Sequence, residues 1–286
     1  MSYTKKKNLW GVIFLIPWLI GVTLFFLRPL IKTFYYSLFN MTLGDNGFDY
    51  TFVGIDNFRY ALTVNPTFNQ GVLEALAMVA RNVPFQIFVS LFVAILLNGR
   101  FKGRSFFRLI FFIPIILATG ITQIEVSGIG IAEEEITNFV NMDAVTSIIA
   151  MSGIPNRVIM LITEFVDSIF EVITTSGVQM LIFLAGLQAI SPTLYEVAKI
   201  EGCTGFESFC KITLPMISPM ILVCMIYSLA DTFAGADISD TIYDTTFKTA
   251  QYGLGAAMSG IYFAVSIFVI LVLSFAVSKG VFYYDK

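Results

Sequence analysis

Tyr195-Glu-Val-Ala-Lys-Ile-Glu-Gly202-Cys-Thr-Gly-Phe206, followed by Lys211-Ile-Thr-Leu-Pro215, is a polar island between two long apolar stretches. A lipid-embedded chain keeps such a polar, helix-forming segment only where a partner meets it. Ser191 is placed to cap a helix, Pro192 suits its first turn, and Gly202 can close it in a left-handed conformation. Any other residue at a closing position of that kind costs roughly 1–2 kcal/mol. The spacing predicts a short surface helix, a glycine hinge, then a second short helix around Phe206 and Phe209.

The composition surrounding this island is that of a membrane protein. Apolar residues make up 57% of 286, and only 13% are charged. Mean hydropathy is +0.81. A soluble domain of this length has no core large enough to hide so much apolar surface. The absence of histidine excludes imidazole general bases, Ser-His and Cys-His nucleophile pairs and His-ligated metals. No G-x-x-x-x-G-K-[ST] phosphate loop occurs, so nucleotide binding by that route is excluded. The sequence therefore offers no catalytic residue and no metal site. Cys203, Cys210 and Cys224 fall in the polar loop and the following span, where no disulfide is expected and small apolar filling is the ordinary role.

About twenty apolar residues in a helix cross the hydrocarbon layer. Six segments qualify, at roughly 9–27, 82–98, 109–127, 171–190, 216–234 and 260–279. The first follows Lys5-Lys6-Lys7 without a small-residue cleavage site, and reads as an uncleaved anchor. Lys5, Lys6, Lys7, Arg100, Lys102, Arg104, Arg108, Lys199, Lys211, Lys279 and Lys286 then share one side of the membrane. Arg28, Lys32, Arg59, Arg81, Arg157 and Lys248 share the other. That asymmetry places both termini and the 191–215 loop in the cytoplasm.

The expected class is an all-α polytopic membrane protein, multi-pass in the cell membrane. It divides into a cytoplasmic N-terminus (1–8), a first helix with an extracytoplasmic segment (9–81), a core transmembrane domain holding the loop (82–279), and a cytoplasmic tail (280–286). Gly44-Asp-Asn-Gly47 and Asn65-Pro66 mark turns in the extracytoplasmic stretch 28–81. A second such stretch, 128–170, contains Glu133-Glu134-Glu135 and a short apolar segment, 144–151. Arg100, Lys102, Arg104 and Arg108 suit anionic headgroups.

Glu196, Ala198, Gly202, Ile212, Leu214 and Pro215 resemble the "EAA" loop of permease subunits in binding-protein-dependent ABC importers. Val197 departs from the usual alanine and Glu201 from the common aspartate. Phe14-Leu-Ile-Pro17, Arg28-Pro-Leu-Ile31, Phe52-Val-Gly-Ile-Asp-Asn-Phe58, Leu97-Asn98, Phe107-Arg108, Leu181–Gln188 and Tyr252-Gly253 extend the resemblance to the carbohydrate branch. They are similar to the first of its two permease subunits, as in maltose, glycerol-phosphate and multiple-sugar importers. A T-x-G-G-P signature is missing; Gly235-Ala-Asp-Ile-Ser-Asp240 stands there.

The resemblance implies a type I importer permease in a bacterial inner membrane, working by alternating access. It further implies a heterodimeric second permease subunit, two ATP-binding-cassette ATPase subunits that hold the ATP and Mg, an extracytoplasmic solute-binding protein, and a sugar as substrate. No nucleic acid and no cofactor of this chain's own enter. The loop would seat in an ATPase cleft, helix in groove, with Leu194, Val197 and Ala198 as an apolar stripe, Glu196 on another face, and Gly202, Phe206 and Pro215 completing the contact. The bland alternative is a solvated surface helix with an incidental glutamate.

For the substrate path the candidates are Glu171, Thr174, Thr175, Tyr227, Asp231 and Phe233, since carboxylates, hydroxyls and aromatic faces are what sugars require. A carboxylate central in a span costs about 2.5–3.5 kcal/mol, so the competing account puts Glu171 and Asp231 in interfacial water. Glu164, Asp167 and Glu171 at helical spacing form an outward acidic stripe or a solvated helix end. An ion-gradient-driven secondary transporter would show the same hydropathy without needing the loop. An importer subunit for a non-sugar solute remains the nearer alternative.

Overall fold

The computed structural model describes residues 14–44, 47–99 and 176–282. Its helices are α1 (Phe14–Tyr36), α2 (Asp56–Thr63), α3 (Pro66–Asn98), α4 (Gly177–Ala189), α5 (Pro192–Ile200), α6 (Gly205–Ala234), α7 (Ile238–Tyr243) and α8 (Tyr252–Ser278). Between α1 and α2 stand strands β1 (Phe39–Gly44) and β2 (Gly47–Phe52). Among the described residues, α1, α3, α6 and α8 are long and apolar enough to cross a membrane. The pair α4 and α5, bent by 61°, meets the same length and apolarity only when the two are taken together. The expected span 109–127 and the stretch 128–170 lie outside the described residues, so the sixfold count is not reached here.

Several boundaries move from their expected places. Helix α1 runs nine residues past 27, because a π-turn over Thr23–Leu27 precedes Pro29 and lets the chain continue. There Arg28 N–H reaches the Thr23 carbonyl, one residue further back than in an α-helix. The same device recurs in α6: a π-turn over Phe209–Thr213 precedes Pro215, with Leu214 N–H on the Phe209 carbonyl. A proline ring clashes with the carbonyl four residues before it, and the wider turn relieves that clash. The separate short helix expected around Phe206 is therefore the first turn of a single 30-residue helix.

Helix α3 likewise starts at 66 rather than 82. Asn65 Oδ1 accepts from Phe68 N–H at 3.0 Å, and Pro66 takes the first turn. Its 33 residues make it about 50 Å long. Pro84 sits inside without ending it.

The chain forms two compact units. In the first (residues 1–77 and 233–271) a hairpin interrupts the helical architecture: β1 and β2 pair antiparallel, with Phe39 opposite Phe52 and Gly44 opposite Gly47. Apolar residues alternate with polar ones on both strands, which is the period of a half-buried sheet. The Phe52–Phe58 motif fixes this hairpin. Val53 and Gly54 N–H both reach the Leu38 carbonyl, and Asn57 Nδ2 donates to the Ser37 and Phe39 carbonyls at 2.9 and 3.0 Å. The core is Ala61, Phe68, Ala75, Ala236, Ile238, Leu254 and Met258. Gly253 lies so near the Phe39 carbonyl that a Cβ there would overlap it.

The second unit (residues 78–232 and 272–286) packs α4 and α6 on the end of α3, around Ala94, Leu97, Phe183, Leu184, Leu187, Ile190, Ile217 and Cys224. A Cβ on Gly186 would stand 2.7 Å from Met220 Cγ, so α4 and α6 meet at near-minimal separation. Gln179 Nε2 donates to Ser228 Oγ at 2.9 Å, joining the same two helices through a buried polar contact.

Candidate functional site

Helix α5 is built as its sequence requires at both ends, with one exception. Pro192 takes the first helical position, but the Ser191 hydroxyl bonds Thr193 Oγ1 at 2.7 Å instead of capping the backbone. At the other end Gly202 has φ +77°. Its N–H reaches the Lys199 carbonyl at 3.1 Å, and Cys203 N–H reaches Ala198 at 2.9 Å. This pair of bonds is a Schellman closure, which satisfies two carbonyls otherwise left open at a helix end.

Past the corner a second cap begins that sequence inspection missed, although Thr204-Gly-Phe-Glu207 carries its pattern. Thr204 Oγ1 accepts from Glu207 N–H at 3.3 Å, and the Glu207 carboxylate accepts from Thr204 N–H at 2.9 Å. Each end thus satisfies the other's free donor. The polypeptide turns from α5 into α6 within Glu201–Thr204, with both helix ends closed.

The expected apolar stripe divides between two faces. Leu194 and Tyr195 pack against the α3/α4/α6 core, and Ala198 is buried. Val197 is exposed together with Ile200, at 84% exposure, and Phe206, at 77%. Glu196 is exposed as well. Residue 197 neighbours both 194 and 200 by helical spacing, but the core lies over 194 and 198, so packing leaves 197 on the open side with 196 and 200. Leu194 and Ala198 root α5 in its own unit, whereas Glu196, Val197 and Ile200 form its open side, joined by Phe206 from the first turn of α6.

A further contact strengthens the root: the Tyr195 hydroxyl lies 2.9 Å from Thr213 Oγ1, tying α5 to the π-turn of α6. Nothing in the sequence spacing signals that pairing. Pro215 is inside α6, where its carbonyl accepts from the Ser218 hydroxyl at 2.7 Å. Pro219 has no N–H to offer that carbonyl, so Ser218 takes the missing donor's place. Behind α5 a cavity of about 410 Å³ opens between Asn98, Leu187, Tyr195, Lys199, Phe209 and Thr213. Cys203 is half-buried, Cys210 exposed and Cys224 buried, so the filler role suits only Cys224.

Of the substrate-path candidates, Glu171, Thr174 and Thr175 lie outside the described residues, as do Glu164 and Asp167. Tyr227 and Asp231 stand four residues apart on one face of α6 and are both exposed. Phe233 is instead packed away at 4% exposure. Its ring meets Tyr262 edge-on at 6.0 Å, and its carbonyl accepts from the Tyr262 hydroxyl at 2.6 Å. These two contacts join the end of α6 to α8. Among the described residues no group of His, Cys, Asp or Glu is placed to hold a metal.

Comparison with known proteins places these features in a family. The model described as "Binding-protein-dependent transport system inner membrane component" matches residues 63–284. The multiple sugar-binding transport system permease protein MsmF of Streptococcus mutans is 29% identical over 298 residues, spanning 98% of this chain and 99% of its own. The trehalose/maltose transport system permease protein MalF of Thermococcus litoralis is 28% identical, spanning 97% and 94%. A crystal structure of a bacterial ABC transporter that imports the acidic polysaccharide alginate superposes over 98% of both chains. Its TM-score is 0.68 at 18% identity, a likeness of fold.

Proposed function

Since this chain belongs to the family of binding-protein-dependent transport system inner membrane components, we propose that it is the permease subunit of an ATP-driven importer that carries a carbohydrate by alternating access. The carbohydrate assignment rests on relatives whose names specify sugars and whose alignment runs nearly end to end. An ion-gradient carrier finds no support in that family match.

One observation carries the mechanism: the tip of α5 is apolar and exposed while its root is packed and hydrogen-bonded. A tip of this kind is suited to a cleft in an ATPase subunit, where Val197, Ile200 and Phe206 would be buried and Glu196 would pair with a base. The chain's own part is mechanical. Displacement of the tip travels through the Gly202 corner and the Tyr195–Thr213 contact into α6, which carries Tyr227 and Asp231 on an open face.

In this proposal six spans place both termini and the 191–215 loop in the cytoplasm of a bacterial cell, and a second permease subunit completes the pathway. Two ATPase subunits supply ATP and Mg chemistry, which this chain does not. A loaded extracytoplasmic receptor biases the same equilibrium by binding one state more tightly.

The test isolates the assembled transporter with its receptor, identifies the co-purified solute by mass spectrometry, and measures its uptake into vesicles. A saccharide whose entry stops without ATP is expected. A bound amino acid, peptide or metal would overturn the carbohydrate part. Gradient-driven uptake by this chain alone would overturn the whole.

A further inference from the structure

The geometry points to a second membrane contact besides the spans: the β1–β2 hairpin lies in the headgroup layer, with its aromatic face toward the lipid, as an anchor that sets the depth of α1. The occupant is the boundary between headgroups and acyl chains. This inference goes beyond the transport role and does not depend on it.

Depth can be measured along α8. Its 27 residues are about 40 Å long, roughly 10 Å more than the hydrocarbon layer. Lys279 follows its last residue and marks one boundary. About twenty residues back, the other boundary falls near Met258. Gly260 is then just inside that boundary and Gly253 about 8 Å outside it, at 1.5 Å per residue. Both glycines touch the segment in question. A Cβ on Gly260 would lie 3.1 Å from the Phe34 ring, and Gly253 abuts the Phe39 carbonyl. Phe34 therefore marks where α1 leaves the hydrocarbon, and β1 begins in the headgroup layer above it. Arg28 and Lys32 carry stems long enough to reach back to that layer.

The hairpin's two faces differ in the sense this depth requires. Register puts Phe39 opposite Phe52 and Met41 opposite Tyr50 on one face, with Asn40 opposite Thr51 on the other. Phe39 meets Phe52 edge-on at 5.4 Å and Tyr50 at 6.3 Å, while Tyr35 and Tyr36 at the end of α1 join the cluster at 4.8 Å from Phe39 and 6.4 Å from Tyr50. Phe52 is 71% exposed, and Tyr35 and Tyr50 about half so. Asn40, Asp49 and Thr51 are exposed on the opposite side. The aromatic surface is continuous with α1, whose most apolar stretch has no buried residue among the described residues. Tyrosine and its aromatic relatives favour the interface because one end is apolar and the other wet.

The test places nitroxide spin labels on single cysteines at Phe52, Tyr50, Thr51 and Asp49, with Cys203, Cys210 and Cys224 and the partners' cysteines replaced. The assembled transporter is held in phosphatidylethanolamine–phosphatidylglycerol nanodiscs. Labels at 52 and 50 should collide several-fold more with oxygen than with a nickel chelate, and labels at 51 and 49 should show the reverse. Equal nickel access at all four sites would overturn the anchor. Protection at 52 that appears only when the solute receptor is added would overturn it too, assigning the face to a protein. Should the Tyr50 substitution prevent assembly, the exposed Phe52 against Thr51 decides alone. Either failure leaves the importer role untouched, because uptake and ATP dependence are measured separately.

Discussion

The Gly202 corner offers the sharpest test of force transmission. At φ +77° the backbone is in the left-handed region, and among the described residues no atom outside its neighbours lies within 4 Å of where a Cβ would be. Replacing Gly202 with alanine therefore introduces no clash, only backbone strain, worth about 1–2 kcal/mol. That strain shifts the balance between the closed corner and any relaxed alternative by roughly 5- to 30-fold. A relaxed corner loses the bonds from Gly202 and Cys203 N–H, so the tip of α5 swings without moving its root. The assay is the number of solute molecules imported per ATP hydrolysed, in vesicles containing the assembled transporter and receptor. Gly202→Ala should lower that ratio several-fold while ATP hydrolysis continues, and Gly202→Val should lower it further, because a branched side chain suits the left-handed region least. Gly202→Asn should fall less, since asparagine tolerates this conformation. If alanine and valine leave the ratio unchanged, the corner transmits nothing and the mechanism fails at its central joint.

Other perturbations probe the remaining parts. Tyr195→Phe removes the bond to Thr213 at a net cost of about 0.5–1.5 kcal/mol, and Thr213→Val should cost the same. Their combination should add little, read as chemical unfolding of the purified subunit, because both remove one contact. Phe206→Ala and Val197→Ala should leave thermal unfolding of this chain unchanged yet reduce co-purification of the ATPase, since both side chains are exposed among the described residues. Gly253→Ala should lower the unfolding temperature by several degrees by forcing the Phe39 carbonyl away, whereas Gly280→Ala, with its nearest atom at 3.6 Å, should not. Phe233→Ala should cost about 3–5 kcal/mol of stability as a core truncation, while Asp231→Asn should alter uptake with unfolding unchanged.

What the sequence revealed divides along a physical line. The corner was legible because Pro192 and Gly202 act through their own backbone restrictions, which do not depend on distant residues. The long helices were legible from apolar length alone. Helical spacing groups Leu194, Val197 and Ala198 as one stripe, and only packing decides that the core lies over 194 and 198 while 197 stays open. Apolar length draws boundaries at 27 and 216, beside Arg28-Pro29 and Lys211–Pro215, whereas a π-turn upstream of each proline carries the helix through, so α1 ends later and α6 starts earlier. The hairpin was half visible: Gly44–Gly47 announced the turn, but the alternation beside it was masked by an overall apolar composition. Tyr195 with Thr213, and Gly186 with Met220, are products of packing, and no local pattern encodes them.

These two kinds of legibility bear on how the subunit works. A lever needs a stiff arm, a fixed root and a free end, and the three come from different sources here. Stiffness at the corner is local, from a closed helix end and a capping box whose hydrogen bonds span only a few residues. The root is tertiary, from Leu194, Ala198 and the tyrosine–threonine bond, so it exists only after α3, α4 and α6 have packed. The free end is what packing leaves over: among the described residues Val197, Ile200 and Phe206 stay exposed. An α5 segment excised as a peptide would keep its capping sequence and lose its root. It would be marginal as a helix at nine residues, and it should bind an ATPase far more weakly than the intact chain, because the ordering that packing supplies in the subunit would then oppose binding. Equal affinity of peptide and subunit would mean that the root adds nothing.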